Sequence, residues 1–301
     1  MLRQAANDAL LTYWGTSYGT RIGYVYAYKY PDKVRAMLLT SPVDPNATWQ
    51  SFMTGSATSP DNAAGFFFEA YPQAKLRYDA VIAALSTQAM PLPSGAHVTH
   101  WDVRGLLANF VKSESAFNSA ASFLTLVDTA IQGDEPQRTD ARTALDTMPW
   151  QAAYPVNGGA TAFIGCLDYP QRLTSSEQNL LAAQIRTPAP IFGFGASQGL
   201  FFCEGIDVAP NPVPTHFLNT QTPMMVIGST RDGLTQYSWA GELARNFRNS
   251  RVITYVGTQH TPYLAAGSAC VDTYGTDYLV RLQRPAADMS CPNANVSSVA
   301  P

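Results

Sequence analysis

The chain has 301 residues, of which 46% are hydrophobic and 14% are charged. A chain this long and this apolar can bury a large core, which excludes an intrinsically disordered protein and a small disulfide scaffold. Nineteen basic and 22 acidic residues give a net charge of -3 with no basic block, so we expect no nucleic-acid partner. The sequence contains no run of about 18 uncharged apolar residues, and we therefore predict no membrane span.

The first 44 residues predict a strand, a helix and a second strand. Residues 10–14 and 34–39 are short apolar runs, which are typical of buried parallel strands. Between them, Ile22, Val25 and Tyr26 follow a period of 3.6 residues until Pro31 blocks a helix. A unit of about 30 residues is the size of a βαβ crossover.

Residues 45–214 show helical periodicity and little strand signal, so we predict a helical insertion that forms a lid. The predicted lid helices span 74–86, 103–112, 116–132 and 175–184. A proline-rich segment at 209–214 predicts the linker that returns to the sheet. Parallel-sheet character resumes in residues 215–301.

In this last part, residues 223–227 and 252–256 predict two more buried strands, separated by a helix at 237–247. A final amphipathic helix carries Val271, Tyr274, Tyr278 and Leu282 before Pro285. The predicted domains are therefore a first core segment at 1–44, a lid at 45–214 and a second core segment at 215–301.

The pattern G-x-S-x-G occurs at residues 15–19, between the first predicted strand and its helix. That context is typical of a nucleophile elbow, in which a sharp turn presents a serine at the positive end of a helix. We predict Ser17 as the nucleophile and the Tyr18 amide as an oxyanion donor. The pattern recurs around Ser197, where no amphipathic helix follows, and we interpret Ser197 as a loop serine in the lid.

A serine nucleophile needs a base and a group that orients the base. Of four histidines, His260 follows the strand at 252–256, whereas His97 and His100 lie in the lid and His216 follows the linker. Asp232 follows the strand at 223–227, although an aspartate before a glycine is also common in turns. The order Ser17, Asp232, His260 is the triad order of α/β-hydrolases.

We therefore predict acyl transfer to water through Ser17, His260 and Asp232. The sequence has neither the histidine and cysteine spacings of metal sites nor a nucleotide-cofactor fingerprint, so we expect no cofactor or metal. The expected substrate is a peptide or a small acyl compound.

Four cysteines allow three disulfide connectivities if all are bridged. We favour Cys166 with Cys203, which joins two parts of the lid, and Cys270 with Cys291, which brackets the last helix. Four buried thiols remain the alternative. Disulfide bonds imply an oxidising compartment, so we expect a secreted or cell-envelope protein.

These residues resemble those of secreted α/β-hydrolase serine peptidases, which include the tripeptidyl aminopeptidases and, more distantly, the proline iminopeptidases. The elbow and its helix (YWGTSYGTRIG at 13–23, YPDKV at 30–34) carry the most specific part of the likeness. Three lid segments are also similar: VDP at 43–45, IQGD at 131–134 and AFIGCLD at 162–168. From residue 222 to 291 the chain is similar to the family's C-terminal part.

The resemblance implies an α/β-hydrolase fold, a mostly parallel sheet with a helical lid, and an exopeptidase that cleaves peptides from free N-termini. Such an enzyme needs an acid near the lid for the substrate ammonium group, and the candidates are Glu69, Glu114, Asp134, Asp168 and Glu204. In that fold the elbow follows several strands, so we expect about 100 N-terminal residues of the fold, with a second oxyanion donor, to be missing here. The alternatives are an esterase or amide hydrolase with the same triad, and a non-catalytic fragment.

Overall fold

The computed structural model describes residues 2–5, 7–150, 158–209 and 222–293, and for Leu2 and residues 158–162 it describes the backbone alone. The strands are β1 (Leu11–Thr16), β2 (Val34–Thr40), β3 (Met90–Pro91), β4 (His97–Val98), β5 (Met224–Ser229), β6 (Ser250–Tyr255) and β7 (Met289–Cys291). Five of them form a parallel sheet in the order β1-β2-β5-β6-β7, and β3 pairs with β4 in a separate antiparallel ribbon. The four predicted strands are confirmed, and the parallel pairing sends their carboxyl ends to one edge of the sheet.

The helices are α1 (Leu2–Ala5), α2 (Tyr18–Lys29), α3 (Trp49–Ala70), α4 (Pro72–Thr87), α5 (His100–Phe110), α6 (Phe117–Gln132), α7 (Glu135–Asp146), α8 (Gly158–Asp168), α9 (Ser175–Arg186), α10 (Gly193–Gln198), α11 (Ser238–Asn246) and α12 (Ala269–Arg281). The helices predicted in the lid correspond to α4, α5, α6 and α9. Helices α3, α7, α8 and α10 and strand β7 were not predicted. The described residues between β2 and β5 are helical except for short turns and the β3-β4 ribbon, whereas residues 210–214 of the predicted linker lie outside the described part.

The sheet is covered by helices on both faces, because successive side chains of a strand point to opposite faces. Met37 and Leu39 of β2 pack with α2 and α11 in one cluster, and Ala36 and Leu38 pack with α12 in another. Every residue of β5 is buried. These largely apolar strands are the runs that sequence analysis detects most readily.

Tyr278 of α12 fills a gap where β2 and β5 diverge. The two strands pair only from Leu38 and Met225 onward. Below that point the buried Tyr278 hydroxyl accepts a hydrogen bond from Met37 N at 2.9 Å and donates one to Pro223 O at 2.8 Å. A side chain thus satisfies backbone groups that the strand ladder leaves unpaired.

The long helix α3 begins the lid and connects it to the sheet layer. Pro60 lies inside the helix, and Gly55 and Gly65 reduce its helical propensity, which explains why sequence reasoning missed it. A Cβ atom at Gly55 would lie 2.3 Å from Trp239 Cζ2 of α11, so only glycine permits this approach. Packing therefore overrides local propensity in α3.

The lid has two apolar clusters of its own. Helices α3 to α7 enclose one around Phe67, Leu107 and Leu124, all fully buried. The other cluster surrounds Trp49 and the disulfide bond between Cys166 and Cys203. The apolar clusters of the lid are therefore separate from those that cover the sheet.

Four lid helices begin with a capping box, in which the first side chain and the residue three positions later exchange hydrogen bonds. The capping residues are Thr48, Thr99, Asp134 and Thr174. Within the part of the chain that the structure describes, no helix is long and apolar enough to cross a membrane.

Candidate active site

Ser17 lies between β1 and α2 in a strained backbone conformation. Its φ and ψ angles are 53° and -125°, a region that non-glycine residues rarely adopt. Strain of this kind costs on the order of 1 to 3 kcal/mol and persists only where neighbouring contacts enforce it. One such contact is the hydrogen bond from Ser17 N to Thr40 O of β2, at 3.0 Å. The predicted elbow serine therefore occupies a sharp strand-to-helix turn.

Tyr13 packs against this turn. The sequence did not predict a role for it. Its hydroxyl donates to Gly19 O at 2.8 Å, which fixes the start of α2. A Cβ atom at Gly15 would lie 2.6 Å from Tyr13 Cε1 and 2.7 Å from Gly19 O. The first glycine of the pattern is thus required by close packing, and Tyr13 occupies the space that its missing side chain leaves.

Asp232 and His260 are in direct contact beyond the ends of β5 and β6. His260 Nδ1 lies 2.9 Å from Asp232 Oδ1 and 3.0 Å from Oδ2. The Asp232 side chain is 1% exposed, and its Oδ1 also accepts hydrogen bonds from Leu234 N and Thr235 N. Because a carboxylate accepts, Nδ1 of His260 carries the hydrogen, and Nε2 is left as the nitrogen that can take a proton. Asp232 is therefore both the turn aspartate and the partner of His260.

The loop that carries His260 is held by strands and by the lid. His260 N donates to Lys112 O, just beyond α5, at 3.1 Å. Thr261, at a φ of 57°, donates from its N to Ser41 Oγ at 2.8 Å, and Ser41 itself has a φ of 49°. Ser229 Oγ donates to Gln259 O at 2.5 Å. Three residues with strained backbones, Ser17, Ser41 and Thr261, therefore lie at the same edge of the sheet.

Ser17 and His260 are linked through the end of β2. Ser17 N binds Thr40 O, and the next residue, Ser41, binds the amide of Thr261 beside His260. Among the residues that the structure describes, no hydrogen bond joins Ser17 Oγ to His260. The structure thus joins Asp232 and His260 of the predicted triad and places Ser17 at the same edge of the sheet.

Tyr18 is the first residue of α2, where backbone N–H groups have no partner within the helix. Its side chain reaches the lid, and its hydroxyl donates to Asp168 Oδ2 at 2.8 Å. Burial, followed by the contact with Asp168, raises the pKa of Tyr18 to about 12, so the phenol remains protonated. The geometry leaves the Tyr18 amide available to an oxyanion at the helix N-terminus.

The second candidate serine and the three other histidines do not join Asp232 and His260 in the described part of the structure. Ser197 was predicted in a loop, which is wrong: it lies in α10, fully buried, and its hydroxyl donates to Phe194 O at 2.7 Å. A short helix forms there because Asp61 accepts hydrogen bonds from Ile191 N and Phe192 N just before it.

His97 is exposed on β4, and His100 begins α5 against Trp101. His216 lies outside the described residues.

The five candidate lid acids differ in what they bind. Asp168 is occupied by Tyr18 and by Arg21, and Asp134 caps α7. Glu114 accepts hydrogen bonds from Thr258 N and from the Asn293 side chain, and burial raises its pKa. The remaining two, Glu69 and Glu204, are exposed.

In the described part of the chain, no three metal-binding side chains cluster as a metal site would require.

Both favoured cysteine pairs form disulfide bonds. Cys166 is bonded to Cys203 in the lid, and Cys270 is bonded to Cys291, which fastens α12 to β7. Beside the first bond, the Arg172 guanidinium donates to five backbone carbonyls: those of Cys166, Tyr169, Gln171, Ile206 and Asp207. The bond and the arginine together hold irregular lid segments next to Asp168.

Two family models match this chain. Residues 1–112 match the alpha/beta hydrolase fold, and residues 189–291 match the TAP-like protein family. Together with the parallel sheet covered on both faces, these matches define an α/β-hydrolase fold with a helical lid. The chain is an α/β-hydrolase-fold protein whose C-terminal part is TAP-like, and it resembles a serine peptidase of that group.

Two curated relatives of this chain are named as peptidases. The serine protease Hip1 of Mycobacterium tuberculosis is 30% identical over 96% of this chain, and the tripeptidyl aminopeptidase of Streptomyces lividans is 24% identical over 97%. The chain spans 59% and 56% of the length of these two relatives. Among solved structures, an alpha/beta hydrolase fold protein from Nakamurella multipartita is 14% identical with a TM-score of 0.37, covering 93% of this chain and 72% of that one.

Proposed function

We propose that this protein is a serine exopeptidase that cleaves peptides from free N-termini. The observation that carries the proposal is the buried Asp232–His260 pair at the sheet edge where Ser17 adopts a strained turn. Named peptidases among the relatives support the substrate class. The proposed catalytic residues are Ser17, His260 and Asp232, with Tyr18 as an oxyanion donor.

In the proposed reaction, Ser17 Oγ forms a bond to the scissile carbonyl carbon while His260 Nε2 takes its proton. The carbonyl oxygen becomes an oxyanion that the Tyr18 amide stabilises. The C–N bond then breaks, and His260 gives its proton to the leaving amine. Water repeats the sequence on the acyl-enzyme, which releases the peptide acid and restores Ser17. Asp232 keeps its charge throughout and holds the imidazole in the required tautomer.

An exopeptidase must also bind the substrate ammonium group. Because Asp168, Glu114 and Asp134 accept hydrogen bonds from other groups of the protein, we propose one of the two exposed acids, Glu69 or Glu204. Glu69 Oε2 lies 3.6 Å from Nη1 of Arg231, the residue before Asp232. This ion pair places Glu69 near the loop that carries Asp232. Substitution of the correct acid by glutamine raises KM for a free peptide and leaves KM for its N-acetylated form unchanged. The other glutamine variant is the matched control.

We first test the proposal with a fluorophosphonate probe, mapping the adduct by mass spectrometry in the parent chain and in Ser17→Ala and Ser197→Ala. We expect the adduct on Ser17, its loss in Ser17→Ala and its retention in Ser197→Ala. An adduct on Ser197 contradicts the proposed nucleophile. Hydrolysis of a free-amine peptide then supports the exopeptidase, whereas turnover of a p-nitrophenyl ester alone supports the alternative esterase or amide hydrolase.

The second alternative is a chain that is inactive alone and needs further strands of the fold. In the described residues β1 pairs only with β2, and Leu10 and Trp14 beside that edge are 43% exposed. The greater length of the relatives supports this alternative, since a partner segment would supply a second oxyanion donor. A folded parent chain that takes up no probe supports it.

We also propose that the protein is secreted or lies in the cell envelope. Its two disulfide bonds support this location, because cytosolic thiols are kept reduced. Detection of the protein only in the cytosolic fraction of its host, with free thiols, contradicts this proposal.

A further inference from the structure

A side chain of the lid binds the residue directly after Ser17. Asp168 is the last residue of α8, and its Oδ2 accepts a hydrogen bond from the Tyr18 hydroxyl at 2.8 Å. Arg21, one turn further along α2, lies with Nε 3.0 Å from the same oxygen and donates from Nη2 to Asp168 O at 3.1 Å. One lid residue therefore makes two hydrogen bonds and one ion pair to the first turn of α2.

This contact is buried and charged. The Arg21 side chain is 4% exposed and the Asp168 side chain 12%. Arg21 also donates to the Tyr24 hydroxyl and stacks over the Tyr169 ring, 4.7 Å from its centre. Removing two charges from water is unfavourable, and apolar side chains of similar volume often pack as stably. The charged pair therefore points to a requirement for a defined orientation rather than for stability alone.

We propose that Asp168 is a positioning residue for the oxyanion donor: through the Tyr18 phenol, the lid holds the Tyr18 N–H in the direction that the oxyanion requires. This inference rests on the proposed serine hydrolase function and adds a lid residue to its machinery. Ser17, with its positive φ, stores backbone strain immediately before the Tyr18 N–H. Rotation of the Ser17–Tyr18 peptide unit would change ψ of Ser17 from -125° towards about +47°, which brings Ser17 into the left-handed region and turns the N–H donor away. The Tyr18–Asp168 hydrogen bond opposes the rotation from the far end of the residue.

The same geometry argues against Asp168 as the anchor of the substrate ammonium group. Its Oδ2 accepts from Tyr18 and lies beside the Arg21 cation, so the negative charge is already balanced inside the protein. A second cation would have to displace Arg21, which is almost completely buried. Asp168 thus acts on the reaction through Tyr18 and not by contact with substrate.

The test compares Tyr18→Phe and Asp168→Asn with the parent chain. Tyr30→Phe is the matched control, because it removes an exposed hydroxyl at the opposite end of the same helix. We expect Tyr18→Phe to lower kcat for a p-nitrophenyl ester, and the rate of fluorophosphonate labelling, about tenfold with KM within twofold. Complete loss of an oxyanion donor costs on the order of 100 to 1000-fold, and a misdirected donor loses part of that. Asp168→Asn added to Tyr18→Phe should lower kcat by less than it does in the parent chain.

Amide hydrogen exchange tests the inference without requiring activity. We expect exchange in the peptide that spans residues 17–21 to be at least tenfold faster in Tyr18→Phe than in the parent, and unchanged in Tyr30→Phe. Unchanged exchange overturns the inference even if the parent does not react with the probe. A raised KM with an unchanged kcat also overturns it, because it would show a substrate contact. If amide hydrogen exchange behaves as expected but fluorophosphonate never labels the parent chain, the result contradicts the proposed function instead.

Discussion

At the carboxyl edge of the sheet, polar side chains bind residues that are distant in sequence, whereas four of the lid helices begin with a local capping box. Asp232 and His260 are 28 positions apart, and Ser41 and Thr261 are 220 apart. Each lid capping box joins residues three positions apart. The edge also carries three strained non-glycine residues, at 17, 41 and 261. The candidate site is therefore enforced by the assembled sheet, whereas these four lid helices are capped by residues of their own sequence.

The two disulfide bonds offer the largest test of this difference, because one lies in each region. Replacing either pair by alanines should lower the free energy of unfolding by about 3 to 4 kcal/mol, as measured with urea. Only the lid pair, Cys166 and Cys203, lies beside Asp168, so only its removal should also slow fluorophosphonate labelling. Equal labelling rates in the two double variants contradict the distinction.

The two G-x-S-x-G patterns give a matched pair of glycine substitutions. In Gly15→Ala the new methyl group would lie 2.7 Å from Gly19 O, and such overpacking should cost about 1 to 3 kcal/mol and most of the labelling of Ser17. In Gly195→Ala the methyl group meets nothing within 4 Å, and helix propensity should leave stability equal or up to about 1 kcal/mol higher. Thermal unfolding and probe labelling of both variants provide the measurement. Loss of labelling in Gly195→Ala would be inconsistent with a single elbow.

Asp134 tests whether a lid cap affects the site. Asp134→Ala removes the bond to Gln137 N and should lower the free energy of unfolding by about 1 kcal/mol, while Asp134→Asn keeps an acceptor and serves as the control. Because this cap is local, KM and kcat should remain within twofold of the parent values. A rise of KM for free peptides in both variants would instead make Asp134 the substrate anchor.

Glu114, which links the lid to the His260 loop, gives the smallest expected effect. Burial raises its pKa above the ordinary value of 4.5, so the folded protein binds more protons than the unfolded chain just above that pH. Stability should therefore fall as pH rises through this interval, and Glu114→Gln should remove that contribution. We expect the melting temperature of the variant, relative to the parent, to increase between pH 4 and pH 7. A difference that does not change with pH contradicts the raised pKa.

The sequence predicted the four longer sheet strands and the triad candidates because their signals are local. Apolar runs marked the buried strands, and the G-x-S-x-G pattern combined with strand ends marked Ser17, Asp232 and His260. The contacts that hold the site were not predictable in this way. In the sequence pattern, Tyr13 is only one more apolar residue of a strand. Asp168 binds Tyr18 from 150 positions away. Helix α3 was missed because proline and glycine obscure a helix that tertiary packing enforces.

Arg172 has a consequence for how this lid can change. It binds carbonyl oxygens, which every amino acid possesses, and in doing so it orders segments around 169–172 and 206–207 that have no regular secondary structure. These hydrogen bonds therefore do not depend on which side chains those positions carry, although Tyr169 and Gln171 also hold the segment through contacts with Trp49. Mutation of exposed positions in this part of the lid, such as Asp207, can therefore change its chemistry while Arg172 continues to hold the path of the backbone.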